Sequence, residues 1–355
     1  MSDDAKRDAW HRDLGASFEP YLGVPAPADY GDPAAEHAAL RDGCGLIARP
    51  WAEQLELTGE DRLRFLNGLV TCEVKSLEPG EGRYGFVTDV KGRILADFEL
   101  LALDDRLWLE LPPGRAAKIA EHLRKYVIVD RVEVAPSARV SFILAGPRAD
   151  EVLAAAGAVE LPATAHGHRA LEVAGAEARL AFGRPLGVPV WTLWTAPEAA
   201  ETLARGLLDA GAGAGLRPVG HRALDRLRVE VGRPLCGVDF DDGHFPQETG
   251  LEEAAVSYTK GCYLGQEVVA RIHYRGGVNR QLRGLVMAGD EPPAAELPGR
   301  PVLHDGRPAG TLTSATDAGD GRRLGLSILH RRAEPGAEVE VEGAGTARVV
   351  ELPFG

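Results

Sequence analysis

Cys262 stands two residues after Lys260 and just ahead of a helix-forming run, Gln266-Glu267-Val268-Val269-Ala270-Arg271. The thiolate is the reactive form of cysteine, and a nearby cation or a helix N-terminus lowers the pKa that governs it. This spacing makes Cys262 a candidate reactive centre, with Lys260 and Arg271 as assisting cations. The opposing reading is a buried small hydrophobe, a common fate of free cysteine. A single reactive cysteine can carry a persulfide, sense redox state or ligate a cluster, and the residues do not choose among these. From Lys260 to Arg283 there are five Lys/Arg and one acidic residue, Glu267, whereas all 355 residues hold 53 Asp+Glu against 40 Lys+Arg, a net charge of -13. A basic segment on an acidic chain points to an anionic ligand or partner near the thiol.

Further candidates lie upstream. Leu224, Arg228 and Val231 share one stripe of a predicted helix, so Arg228 sits mid-way along an apolar face. A guanidinium there needs an anionic partner. Glu230, a carboxylate elsewhere or a bound ligand could supply it, and a snorkelling side chain is the bland alternative. Asp97 lies on an alternating strand, on the face opposite Phe98. A lone Asp in that position usually faces solvent. Tyr84 precedes it on a neighbouring extended run and is either a pocket or a core residue. Trp191 offers a stacking surface, although a core tryptophan is the default. Glu267 and Arg271 are spaced for an i,i+4 ion pair. His166-Gly167-His168 has metal-like proximity without a second pair and reads as a polar loop. The run Gly211-Ala212-Gly213-Ala214-Gly215 follows a helix, not a strand, so it is no dinucleotide fingerprint. No GxSxG, HExxH or P-loop is present, which leaves serine-hydrolase, zincin and NTPase chemistry without support.

The elements that must position these residues follow from periodicity. Residues 1–31 read as irregular, with Pro20, Pro25 and Pro27. Asp32-Pro33 looks like a cap and first helical position, for a helix ending at Gly43. A second helix after Thr58-Gly59 carries Leu63, Leu66, Leu69 and Val70. Residues 84–87, 94–101 and 107–111 alternate as strands; a helix with Ile119, Leu123 and Tyr126 and a strand through 127–134 complete a ferredoxin-like unit. Strands and short helices alternate over 139–195. Helices start at Pro197 and Gly220, and a proline- and glycine-rich loop leads into the Cys262 segment. After Arg283, short apolar runs separated by Asp305-Gly306, 317–321 and 342–345 read as a small all-β domain. The length predicts two or three domains.

The four cysteines, Cys44, Cys72, Cys236 and Cys262, show neither CxxC nor metal-ligand spacing, so a reducing compartment fits. The charged start and the lack of long apolar runs argue for a cytoplasmic protein without membrane segments. The acidic total argues against broad duplex-DNA binding.

The Cys262 segment, with its Lys-Gly-Cys-aromatic start, Gly265-Gln266-Glu267, Ala270-Arg271 and Arg275-Gly276, resembles the signature of the YgfZ family of folate-binding proteins. That family is a branch of the superfamily containing the glycine-cleavage T-protein, a tetrahydrofolate-dependent aminomethyltransferase. Traces of the wider superfamily include Glu36-His37, Gly92–Asp97 and Arg228–Gly232. The resemblance implies an α+β, T-protein-like multidomain ring around a central folate pocket, with a ferredoxin-like subdomain over about 52–137. The folate-binding core would span 1–280 and a small C-terminal β-barrel 281–355. It implies tetrahydrofolate or a derivative as cofactor, held by Tyr84, Asp97, Arg228, Glu230 and Trp191. It also implies iron–sulfur client enzymes or assembly factors as partners, including enzymes of tRNA modification. Direct tRNA binding through Lys260, Arg271, Arg275, Arg280 and Arg283 is the weakest reading. Two departures bear on catalysis. The superfamily's Asp-Asp pair is Ala96-Asp97 here, and the glutamate that contacts the pterin is matched by Val188. Both count against the rival reading, a working aminomethyltransferase or demethylase.

Overall fold

The computed structural model describes residues 9–354. Asp32 caps the helix Pro33–Asp42 by accepting from the Ala35 amide at 3.0 Å, and the helix stops at Gly43. By chain contacts the protein forms two units. The first runs to Leu63 and adds Ser76–Arg83 and Glu99–Leu224; the second holds Arg64–Lys75, Tyr84–Phe98 and the chain from Asp225.

The first unit contains a six-stranded sheet ordered His168–Val173, Ala176–Phe182, Val190–Thr195, Val140–Ala145, Cys44–Ala48 and Leu216–Pro218. Its last pairing is parallel and the other four are antiparallel. The helices Ala149–Ala155 and Ala200–Gly211 contribute Val152, Leu153, Leu203 and Leu207 to its core, beside Leu144, Leu180 and Leu193. A five-stranded sheet is ordered Gly82–Thr88, Ile94–Ala102, Arg106–Leu111, Glu53–Thr58 and Glu133–Ser137. Its last four strands have the split βαβ order expected of a ferredoxin-like fold, with Gly82–Thr88 added at one edge. The helix Ala116–Arg124 buries Ile119 and Leu123 against it.

In the second unit, six strands between Arg280 and Val350 close into a barrel. Asp305 and Gly306, both with positive φ, make the tight hairpin turn between Pro301–His304 and Arg307–Asp317. Leu285, Met287, Leu312 and Val349 fill the interior. A second core joins Tyr84, Phe86 and Ile94 to Phe240, Val269 and Leu326.

Four expectations are corrected. Ser17–Tyr21 and Val24–Asp29 form a hairpin in the stretch read as irregular; Pro20 lies opposite Pro25, and a two-stranded ribbon has free edges that tolerate prolines. Residues 1–8 of that stretch lie outside the described residues. The helix after Gly59 is Arg62–Asn67, shorter than expected, because Asn67 turns its side chain back to accept from the amides of Val74 and Lys75. The stretch 127–132 is an exposed loop: Ile128 and Val129 are each 84% exposed, and the strand begins only at Glu133. Apolar composition suggested a strand there, but no neighbouring strand is available to those residues. A short helix, Glu252–Ala255, falls within the loop that carried no helical expectation.

His168 is a buried strand residue. Arg179 Nη1, which can only donate, lies 2.8 Å from His168 Nδ1, so that nitrogen is the acceptor of a neutral ring; Nε2 faces the Glu81 carbonyl at 3.2 Å. Burial, reinforced by the Arg179 charge, pushes its pKa down to about 4. The unfolded chain therefore binds the proton first as pH falls. Stability contributed by neutral His168 is complete above about pH 6.5 and is lost as pH drops towards 4, a span worth about 3 kcal/mol. Urea unfolding across that window should show a shallower acid loss in His168→Gln than in the parent chain. Parallel curves would mean that the ring protonates without cost.

Candidate functional site

Tyr84 and Asp97 meet across neighbouring strands. The Tyr84 hydroxyl donates to Asp97 Oδ2 at 2.8 Å, with Tyr84 buried and Asp97 half-buried. Asp97 is thus an oriented carboxylate rather than a solvent-side one. The alternation of Ile94–Ala102 explains the placement: Ile94, Ala96 and Phe98 are fully buried on one face, while Leu95, Asp97 and Glu99 lie on the other. Ala96 therefore occupies core, and a carboxylate at that position would be desolvated.

Lys260 is buried, and its ammonium donates to three backbone carbonyls, Asn67 at 2.7 Å, Val70 at 2.7 Å and Cys72 at 2.6 Å. An ammonium has three N–H groups, so all are used. Burial pulls its pKa down to about 8, opposed by Cys72 and Glu73, which leaves it charged at neutral pH. The lysine ties the signature segment to residues 67–72. Leu264 N also donates to Gly68 O at 3.0 Å, and Thr88 Oγ1, at the end of the strand Gly82–Thr88, donates to Leu264 O at 2.7 Å. Gly265 and Gly92, both with positive φ, allow the closest approach. A Cβ on Gly265 would lie 2.4 Å from Asp89 O, and one on Gly92 would crowd Val268 and Val269.

In this framework Cys262 is exposed, whereas Cys44, Cys72 and Cys236 are buried. Burial pushes the Cys44 thiol up to about 12. The helix after Cys262 is Gln266–Arg271, six residues, continuing as a π turn over Ile272–Gly276. Glu267 and Arg271 are exposed on it. Around its far side Gln247 Nε2 donates to the Tyr258 hydroxyl at 2.9 Å and to Val269 O at 3.0 Å; Tyr258 bonds Glu252, and His273 stacks on Tyr258 at 3.8 Å. Sequence reasoning missed this polar network, whose members are scattered over 247–273 with no repeating interval.

Arg228 is buried in a set of the chain's own acceptors. Nε donates to Asp225 at 2.5 Å, Nη1 to Asp239 at 2.8 Å and Nη2 to Ser314 Oγ at 2.9 Å. Asp239 is itself buried and accepts from Thr313, Ser314 and the Leu235 amide. Of the partners the stripe called for, the carboxylate elsewhere is present as Asp239, a residue with no sequence signal. Glu230 pairs with Arg226 at 2.9 Å. Trp191 is in the core of the first unit, its indole N–H donating to Asp150 at 2.7 Å. Val188 is half-buried in the turn before Val190–Thr195. Of the basic segment, Arg280 pairs with Glu248 and Arg283 with Glu351, while Arg271 and Arg275 are exposed.

Fold and site together define an α+β protein that ends in a closed barrel and carries an oriented tyrosine–carboxylate pair and one exposed thiol. Residues 8–260 match the GCVT N-terminal domain, and residues 280–354 match the glycine cleavage T-protein C-terminal barrel domain. The chain belongs to the glycine cleavage T-protein family. It is 30% identical to an aminomethyltransferase of Rubrobacter xylanophilus over 97% of this chain and 92% of that one. It is also 30% identical to an aminomethyltransferase of Thermus thermophilus, over 97% and 96%. A putative chloroplastic transferase of Arabidopsis thaliana is 26% identical over 85% of this chain and 69% of its own. The crystal structure of the glycine cleavage aminomethyltransferase T of Bartonella henselae superposes with a TM-score of 0.83 at 23% identity, covering 97% of this chain and 95% of that one, and so shares the fold. Among the described residues no helix is long and apolar enough to cross a membrane.

Removing the Arg228 guanidinium should strand the Asp239 carboxylate. Arg228→Met is expected to cost about 3–5 kcal/mol in urea unfolding, and Arg228→Met with Asp239→Asn should lose less than the single change. Equal losses would show that the pair is uncoupled. Exposure also ranks the thiols: a small alkylating reagent should label Cys262 first in the native protein, read by peptide mass spectrometry, and simultaneous labelling of all four would refute the ordering.

Proposed function

We propose that this protein binds a reduced folate without efficient aminomethyl transfer and serves iron–sulfur enzymes, including tRNA-modifying ones, as an accessory factor of the YgfZ type. The observation that carries the reading is Cys262, the exposed cysteine of the chain, displayed by a segment that Lys260 pins from beneath. A fold that buries a cation to hold a loop, and then leaves the loop's thiol in solvent, supports a role for that thiol beyond packing. Lys260 enters as the anchor of the segment. Arg271 enters as a nearby exposed cation.

The chemistry of the donor set fits tetrahydrofolate in part. Asp97, oriented by Tyr84, is an acceptor suited to the N–H groups of a pterin. Bound tetrahydrofolate would supply a one-carbon acceptor. Ala96 and Val188 offer no carboxylate to a donor amine or to the pterin, which favours binding over transfer. Arg228 is engaged by Asp225, Asp239 and Ser314, and Glu230 by Arg226 on its own helix.

A second reading has its own support. Relatives at 30% identity along nearly the whole chain are named aminomethyltransferases. Turnover separates the two: rapid folate-dependent release from an aminomethyl-lipoyl donor would establish the transferase and overturn the accessory role.

Two substitutions test the favoured reading. Asp97→Ala should weaken tetrahydrofolate binding by about tenfold or more, as expected for a lost charge-assisted hydrogen bond. Cys262→Ser should leave folding and folate affinity unchanged while abolishing support of an iron–sulfur enzyme in a complementation assay. Full complementation by the serine variant would remove Cys262 from the function.

A further inference from the structure

Two arginines of the first unit converge on one tryptophan. Trp108 is on the strand Arg106–Leu111, Arg179 on Ala176–Phe182, and Arg139 immediately precedes Val140–Ala145. The guanidinium carbons lie 5.1 Å (Arg139) and 5.4 Å (Arg179) from the Trp108 ring centroid. Arg179 gives one N–H to His168 Nδ1. Among the described residues neither arginine has a carboxylate within ion-pair distance. Asp104 and Glu177 act on Arg179 only at longer range, and burial together with Arg139 pushes its pKa down. Trp108 is itself 9% exposed, and its indole N–H is buried without an acceptor.

Two cations on one ring repel each other, and cation–π attraction recovers only about 0.5–2 kcal/mol apiece. Most other arginines of the chain that are tied down have carboxylates, as at Arg49, Arg106, Arg148 and Arg228. The overall charge of -13 repels anions in general, so a local pair of cations without a directly contacting carboxylate is the more pointed feature. Guanidinium groups bind oxyanions through paired N–H bonds. Arg139 is exposed and held by the ring alone, so it can turn to admit a ligand. His168, the residue that orients Arg179, also lines an open cleft of about 410 Å³ with Gly80, Thr164 and Arg169.

We propose that Arg139 and Arg179, gathered over the Trp108 ring, form a binding site for a small dianionic oxyanion of the phosphate-monoester class. Two positive charges match a dianion, and a tetrahedral phosphate has oxygens enough for two guanidinium groups. The site is independent of the Cys262 and Asp97 readings.

Calorimetric titration of the full chain with phenyl phosphate at constant ionic strength tests it, with inorganic phosphate, glutarate and chloride as further arms. Saturable binding of phenyl phosphate and phosphate is expected, with glutarate weaker and chloride silent. Arg139→Gln alters an exposed side chain and should leave the melting temperature of the free protein unchanged while weakening phosphate binding by about tenfold or more. Trp108→Phe should weaken it less, and Arg169→Gln, at an arginine already paired with Glu160, not at all. No saturation below about 10 mM, an equal response to chloride, or unchanged affinity in Arg139→Gln would overturn the site. Glutarate binding as tightly as phenyl phosphate would overturn the phosphate assignment.

Discussion

A single buried ammonium organises the region on which the chemistry depends. Desolvating a lysine costs several kcal/mol, and only charge-assisted hydrogen bonds can offset it. Lys260 has three such bonds, all to the short segment 67–72, roughly 190 residues away in the chain. That segment accordingly cannot drift, and neither can the loop that carries Cys262. The loop is then pressed against the hairpin turn at Gly92, where the contact is so close that both sides require glycine. Cation, glycines and Thr88 act as one clamp, and its product is an exposed thiol on a rigid base.

The same unit repeats this logic with opposite charge. Asp239 is buried and would be intolerable alone; Arg228, Thr313, Ser314 and the Leu235 amide satisfy it. The bonds connect a helix, a loop and a barrel strand through one carboxylate. Arg228 is thereby committed to the chain itself. In the first unit the arrangement over Trp108 differs in kind, because among the described residues Asp104 and Glu177 act on Arg179 only at longer range.

Family membership and the detail of the site pull in different directions. Similarity along nearly the full chain ties it to proteins named aminomethyltransferases. Ala96 packs into the core face of its strand, where a small residue suits the packing and a carboxylate would be desolvated. The accessory reading draws on this position, and turnover decides between the two.

Local physics was legible in the sequence alone. The cap at Asp32, the alternation of Ile94–Ala102, the Asp305-Gly306 turn and the barrel's short strands all follow from interactions within a few residues. A ferredoxin-like unit was legible as a class, but its first strand, Glu53–Thr58, was not read, and Gly82–Thr88 proved to be the added edge strand. The resemblance carried by the Cys262 segment pointed to the right superfamily. Tertiary structure alone decided where Lys260 points, that Cys262 is exposed, that Arg228 meets Asp239, and that Trp191 belongs to the core. Periodicity assigns a side chain to a face, but the partner across that face comes from a distant part of the chain. Local pairs such as Arg226–Glu230 follow from i,i+4 spacing, but the buried partner Asp239 is supplied in three dimensions and no short-range spacing encodes it. The exposed loop at Ile128 and Val129 makes the same point from the other side: apolar residues form a strand only where a neighbouring strand is present to receive them.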